Sequence, residues 1–260
     1  MQIPCGGVAF FDSGIGGLTV LAECRKYVTN EIFYYYGDNL RAPYGNLSPE
    51  RIFAYVDEAF ALFARLKVKA AVLACNTATA VCVERLRKKY PFPVIGAEPA
   101  VLPAAKVGGK ILVLSTCATG QSARFARLCE RVRKTFPQIE LTVAPCPSLA
   151  GEIEKHVLDD GYSYAPFLPP ATPTSVVLGC THYIYAKEQI QSFYGCPVFD
   201  GNAGISRRLQ DTLLRLQKTF FSPNGRDERP LLTTARPPQN FFLGAKKMQN
   251  KLVFEQMFGK

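Results

Sequence analysis

Ala70-Ala71-Val72-Leu73-Ala74-Cys75-Asn76-Thr77 and Ser175-Val176-Val177-Leu178-Gly179-Cys180-Thr181-His182 read alike. In each, a short unbroken apolar run gives way to a polar turn that holds a cysteine beside a threonine. Apolar residues without alternation mark a strand buried on both faces, as in a parallel sheet. In open α/β sheets ligands sit at the carboxyl ends of the strands, and both cysteines fall there. Two thiols delivered in this way suggest one acid/base group on each side of a site, the arrangement that proton transfer on both faces of one carbon needs.

Upstream of the first run, Val8-Ala9-Phe10-Phe11 reads as a strand, followed by the turn Asp12-Ser13-Gly14-Ile15-Gly16-Gly17 and a helix from about Leu18 to Val28. Ile32 to Tyr36 is a second strand. Ser48 with Pro49 behind it opens a helix, whose apolar residues Ile52, Val56, Ala59, Phe60 and Phe63 share one face. After Cys75 a helix runs from Thr77 to Tyr90, and Asn76 reads as its cap. The pattern restarts at Lys110-Ile111-Leu112-Val113-Leu114, with a further strand near 139–144 and a short helix around Glu152 before the Cys180 run. Alternating strands and helices imply parallel, doubly wound sheets, and the restart implies an internal duplication. The expected fold is therefore α/β, with two pseudo-symmetric lobes and the active site in the cleft between them. The first lobe takes residues 1–97 together with a C-terminal segment, 208–260, folded back on it and ending in a helix from about Gly244. Residues 98–207 form the second lobe.

Composition narrows the function. At 260 residues and 48% hydrophobic, the chain can bury a substantial core. No segment has the apolar length of a membrane span, and the start lacks the layout of a signal peptide, so a cytoplasmic protein without a membrane partner is expected. The nine cysteines form no paired framework and only two histidines are present, which argues against disulfides and a metal site. The net charge of +10 is spread along amphipathic helices, as in Arg85-Leu86-Arg87-Lys88-Lys89, rather than gathered with exposed aromatics. A nucleic acid is therefore not expected as the main partner.

The chemistry falls to groups at the strand ends. A thiol becomes a useful base when a helix N-terminus or a cation lowers its pKa. Thr77 and Thr181 can offer hydroxyls to an anion, His182 can exchange a proton with Cys180, and Asp12 can do so with Cys75. The loop at 12–17 is not G-x-G-x-x-G and no P-loop lysine follows. It reads as a turn rather than a nucleotide site.

Several separated strings together give the chain a specific resemblance. They are Phe11-Asp12-Ser13-Gly14-Ile15-Gly16-Gly17, Tyr36-Gly37-Asp38, Pro43-Tyr44-Gly45, Ala74-Cys75-Asn76-Thr77-Ala78, Glu98-Pro99-Ala100 and Leu178-Gly179-Cys180-Thr181-His182-Tyr183. From about Val8 to Arg208 the chain resembles the glutamate racemases of the cofactor-independent aspartate/glutamate racemase superfamily. The resemblance implies interconversion of L- and D-glutamate without pyridoxal phosphate or metal, as a supply of D-glutamate for peptidoglycan. It implies that Cys75 acts on D-glutamate, assisted by Asp12, and Cys180 on L-glutamate, assisted by His182. A glutamate near the second base matches Glu154, with Glu152 the alternative. Asp12, Ser13, Pro43, Tyr44, Gly45, Asn76, Thr77, Thr119, Thr181 and His182 would hold the substrate, and a homodimer is implied. Ile184 departs from the usual proline after the Cys-Thr-His-Tyr string. Other two-cysteine members, such as aspartate or hydantoin racemases and maleate isomerases, are the alternatives within the superfamily. Outside it, the alternative is a two-lobed binding protein without chemistry.

Overall fold

The computed structural model describes residues 6–29, 31–220, 239–243 and 247–258. Its first sheet is built from β1 (Val8–Asp12), β2 (Ile32–Gly37), β3 (Ala70–Leu73), β4 (Val94–Gly96) and β9 (Gln239–Leu243), in the order β4-β3-β1-β2-β9. The second sheet joins β5 (Lys110–Ser115), β6 (Glu140–Pro145), β7 (Ser175–Gly179) and β8 (Val198–Phe199), in the order β6-β5-β7-β8. Every pairing is parallel. Read from the other edge, the second sheet repeats β4-β3-β1-β2 strand for strand, which is the duplicated topology expected from the restart at Lys110. Among the described residues β9 has no counterpart there. It extends the first sheet by pairing Ile32 to Tyr36 of β2 with residues 239–243.

Each sheet is buried on both faces because its strands send alternate residues to opposite sides. Ala9, Phe11, Tyr34, Ala71 and Leu73 meet α2 (Pro49–Arg65) and α3 (Asn76–Lys89). Val8, Phe10, Phe33, Tyr35 and Val72 meet α1 (Gly17–Tyr27), α9 (Asn202–Phe220) and α10 (Lys247–Phe258). In the second lobe, α4 (Val101–Val107) and α6 (Ala123–Thr135) cover one face, and α7 (Leu149–His156) and α8 (Lys187–Tyr194) the other. The buried face of α2 consists of the five residues Ile52, Val56, Ala59, Phe60 and Phe63, and Ser48 caps the helix by accepting from Arg51 N.

Some local expectations are corrected. Cys75, not Asn76, occupies the cap position of α3, and its sulfur accepts from Ala78 N at 3.4 Å. Asn76 is the first helical residue. After Cys180 the chain forms a 3-10 helix, Thr181–Ala186, before α8 begins, so Ile184 sits in a tight helical connection. The final helix starts at Lys247; residues 244–246 and the proline-containing stretch at 221–238 lie outside the described residues. No helix among the described residues is long and apolar enough to cross a membrane.

Candidate active site

Every strand that leads to a candidate group ends at the same seam between the lobes. β1 delivers Asp12 and Ser13, β3 delivers Cys75, and β5 leads into α5 (Cys117–Gly120). β7 leads to Cys180, Thr181 and His182. The loop at 12–17 is where the two halves touch. A methyl group added at Gly16 would lie 2.5 Å from Thr181 Oγ1 and 2.7 Å from His182 N, and one at Gly14 would lie 2.6 Å from Glu154 Oε2. Only bare backbone lets the lobes approach this closely, so these glycines serve lobe contact rather than phosphate binding.

Two thiols face this seam, each with its own set of neighbours. Cys75 is buried, with Ser13 Oγ at 3.5 Å and Ala78 N at 3.4 Å. Burial, reinforced by the negative charge of Asp12, pushes its thiol up to about 12, against the pull of the hydrogen bonds with Ser13 and Ala78 N. The Asp12 carboxylate accepts from Gly14 N at 2.9 Å and, across the seam, from Thr181 Oγ1 at 3.0 Å. It acts on Cys75 through its field, while Ser13 makes the direct contact. Burial raises the Asp12 pKa, although His182 and the two hydrogen bonds oppose this.

On the other side, Cys180 Sγ lies 3.8 Å from His182 Nδ1, and His182 Nε2 lies 2.7 Å from Glu154 Oε2. Glu154 also accepts from Ile15 N at 3.2 Å and from Asn39 Nδ2 at 2.7 Å, both in the first lobe. Burial works against a charged ring in His182, but the hydrogen bonds to Cys180 and Glu154 outweigh it and hold the imidazolium well above the usual histidine range. Burial likewise works against the Glu154 carboxylate, yet His182, Ile15 N and Asn39 keep its pKa lowered. The result is an aligned thiol–imidazole–carboxylate relay. Glu152 takes no part, because its carboxylate pairs with Lys155 and the Tyr162 hydroxyl.

The remaining expected groups lie along the same seam. Thr77 of the first lobe meets Thr116 at 2.9 Å and Thr119 at 3.3 Å, both in the second lobe. Pro43, in extended conformation, leads into a short 3-10 segment, Tyr44–Asn46. There the Tyr44 hydroxyl donates to the buried Asp38 carboxylate, and a methyl group at Gly45 would lie 3.3 Å from Thr116 Cβ. Asn76 is buried, and its Oδ1 has no partner among the described residues.

Three contributors escaped the sequence reading. Asn39 holds Glu154, Thr116 completes the hydroxyl cluster, and Asp38 anchors Tyr44. Asp38 at least stood in a quoted string. Thr116 sits in the strand-end turn that mirrors 12–17, which was its available signal. Nothing local marks Asn39, whose partner lies in the other lobe.

Comparison with known proteins follows the same outline. The sequence model of the Asp/Glu/Hydantoin racemases matches residues 30–206. A glutamate racemase of Clostridium botulinum strain Kyoto is 37% identical over 224 residues, covering 82% of this chain and 86% of its own. One of Clostridium novyi is 36% identical over 227 residues, covering 83% and 86%. Among solved structures, glutamate racemase from Francisella tularensis in complex with D-glutamate superposes with a TM-score of 0.75 at 26% identity, covering 98% of this chain and 94% of its own. The Escherichia coli enzyme with L-glutamate and the activator UDP-MurNAc-ala gives 0.74 at 25% identity, covering 98% and 96%. With paired strand-end thiols, a duplicated parallel fold and relatives this similar over most of its length, the chain belongs to the aspartate/glutamate/hydantoin racemase family.

Proposed function

We propose that this chain is a glutamate racemase that works by two bases, Cys75 and Cys180, on opposite faces of the α-carbon. The observation that carries the reading is the difference between the two thiols' surroundings. Cys75 sits at a helix N-terminus among hydroxyls and an acid, and Cys180 at the head of a relay through His182 to Glu154.

Beginning from L-glutamate, the Cys180 thiolate takes the α-proton while the C–H electron pair stays on carbon. Cys75 enters that direction as a thiol, which suits a group pushed up to about 12, and its proton goes to the opposite face. Cys75 is left as thiolate and Cys180 as thiol. From D-glutamate the same steps run in reverse, and the substrate ammonium offsets the Asp12 field that disfavours a Cys75 thiolate. His182 takes and returns the Cys180 proton, and Glu154 holds the imidazolium. The α-proton is too weakly acidic for a thiolate unless the carbanion is stabilised. Donors aimed at the carboxylates in a water-excluding cleft supply that, here from Ser13, Asn76, Thr77, Thr119, Thr181 and the 43–45 segment. Lobes formed by 1–97 with 208–260 and by 98–207 would close on the substrate. We further place the enzyme in the cytoplasm as a homodimer that provides D-glutamate for peptidoglycan, in line with the family.

The test follows the circular dichroism of each glutamate enantiomer in deuterated buffer, with mass spectrometry for α-deuterium. Both signals should decay with wild type, and neither should with Cys75→Ser or Cys180→Ser. A stable signal with folded wild-type protein would overturn the assignment and direct the assay to aspartate, hydantoins and maleate.

A further inference from the structure

Helix α10 buries a face made by Val253 and Phe254, and one turn earlier the same face carries Asn250, which is fully buried. Among the described residues, both of its side-chain polar atoms lack a hydrogen-bond partner. An amide on the apolar face of a helix, with nothing to bond, is a costly choice unless it serves something close by.

What lies close by is the back of the relay. Around the point where a side chain on Gly37 would begin, three polar atoms converge: Asn250 Nδ2 at 2.5 Å, Gly14 O at 2.7 Å and Asn39 Oδ1 at 2.8 Å. The orientation of Asn39 is determined by chemistry, because only its amide nitrogen can donate to the Glu154 carboxylate. Its oxygen therefore faces Gly37 and Asn250, and it too has no partner among the described residues. Of the two ends of Asn250, the NH2 belongs next to two acceptors.

We propose that Asn250 is a positioning residue for the Cys180 side of the reaction. Its amide donates over one water to Asn39 Oδ1 and so keeps the Asn39 NH2 turned toward Glu154. The chain of contacts runs from Asn250 through Asn39, Glu154 and His182 to Cys180. Gly37 keeps the space between the two amides free of a side chain. The last helix thereby supports one base and not the other. This inference rests on the two-base reading above.

The experiment compares wild type, Asn250→Leu, Asn250→Ser, Asn39→Ala and the Asn250→Leu/Asn39→Ala pair, using α-deuterated L- and D-glutamate. Wild-type racemisation tests the underlying reading separately. If wild type racemises, Asn250→Leu should lower kcat/KM about fivefold, the effect of one lost hydrogen bond. It should also raise the primary isotope effect on kcat/KM from L-glutamate, where Cys180 breaks the labelled bond, and lower it from D-glutamate. Asn250→Ser, which returns a donor to the same space, should bring both isotope effects part of the way back. Asn39→Ala leaves α10 untouched and should show the same divergence, with the pair no worse than Asn39→Ala alone. If Asn250→Leu fails to fold, the serine variant and Asn39→Ala carry the test. Isotope effects that stay as in wild type for both enantiomers, or that change in parallel, would reduce Asn250 to packing and overturn the proposal.

Discussion

Replacing Glu154 by glutamine keeps the side chain's shape and removes its charge. Glutamine can still accept from Ile15 N, but it offers His182 Nε2, now 2.7 Å from a carboxylate oxygen, only a neutral partner. A hydrogen bond between charged groups contributes about 1.5–3 kcal/mol net, so kcat/KM should fall roughly ten- to hundredfold. The imidazolium should lose its proton at lower pH, because burial then acts with less opposition. The sign follows from linkage. The stability contributed by His182 is fully present below the ordinary histidine range and is lost as pH rises through its raised pKa. That of Glu154 is present above the ordinary carboxylate range and is lost as pH falls through its lowered pKa. The variant should therefore lose most stability between the ordinary carboxylate and histidine ranges, on the acid side of neutrality, and the difference from wild type should fade as pH rises through the raised His182 pKa. With only His156 and His182 in the chain, imidazole nitrogen NMR can follow the titration directly, with a His156→Gln variant assigning the signals. An unmoved His182 titration in Glu154→Gln would refute the relay.

Three further outcomes follow. Gly16→Ala puts a methyl group 2.7 Å from His182 N, and overpacking of about 1–3 kcal/mol should hold the lobes apart; kcat/KM should drop tenfold or more while far-UV circular dichroism is retained. Asp12→Asn should raise the melting temperature at pH 7, because burial raises the folded Asp12 pKa and so penalises the charged form. An asparagine can still accept from Gly14 N and donate to Thr181 Oγ1. The gain should vanish as pH falls below the ordinary carboxylate range, and racemisation should decline. Phe60→Ala opens a cavity among Phe63, Tyr90 and Phe92, and urea denaturation should report a loss of about 3–5 kcal/mol.

The fold was legible wherever periodicity carried it. The α2 stripe matches the buried face residue for residue, and the restart at Lys110 predicts the repeated strand order. Short-range chemistry was read less well. Asn76 has the side chain of a good cap, but the thiol of Cys75 takes that position because Asn76 is already the first helical residue. Across the seam, local signals vanish altogether. Asn39 meets Glu154 through the docking of one lobe on the other, and Asn250 reaches the same place from the last helix. The glycines at 12–17 gave a turn signal, whereas their contacts with Glu154, Thr181 and His182 are made by residues far along the chain.

The hydroxyls of Thr77, Thr116 and Thr119 are one another's partners, and Asp12 is bonded to Thr181 across the same gap. The cleft is thus latched by groups of the kind that would grip a ligand. A carboxylate arriving here would not fill idle donors; it would exchange with bonds already made. Affinity is then the small remainder between two nearly equal sets of contacts. A molecule too short to reach both latches would break one and be repaid by neither. Chain length can in this way be sensed without any side chain measuring it.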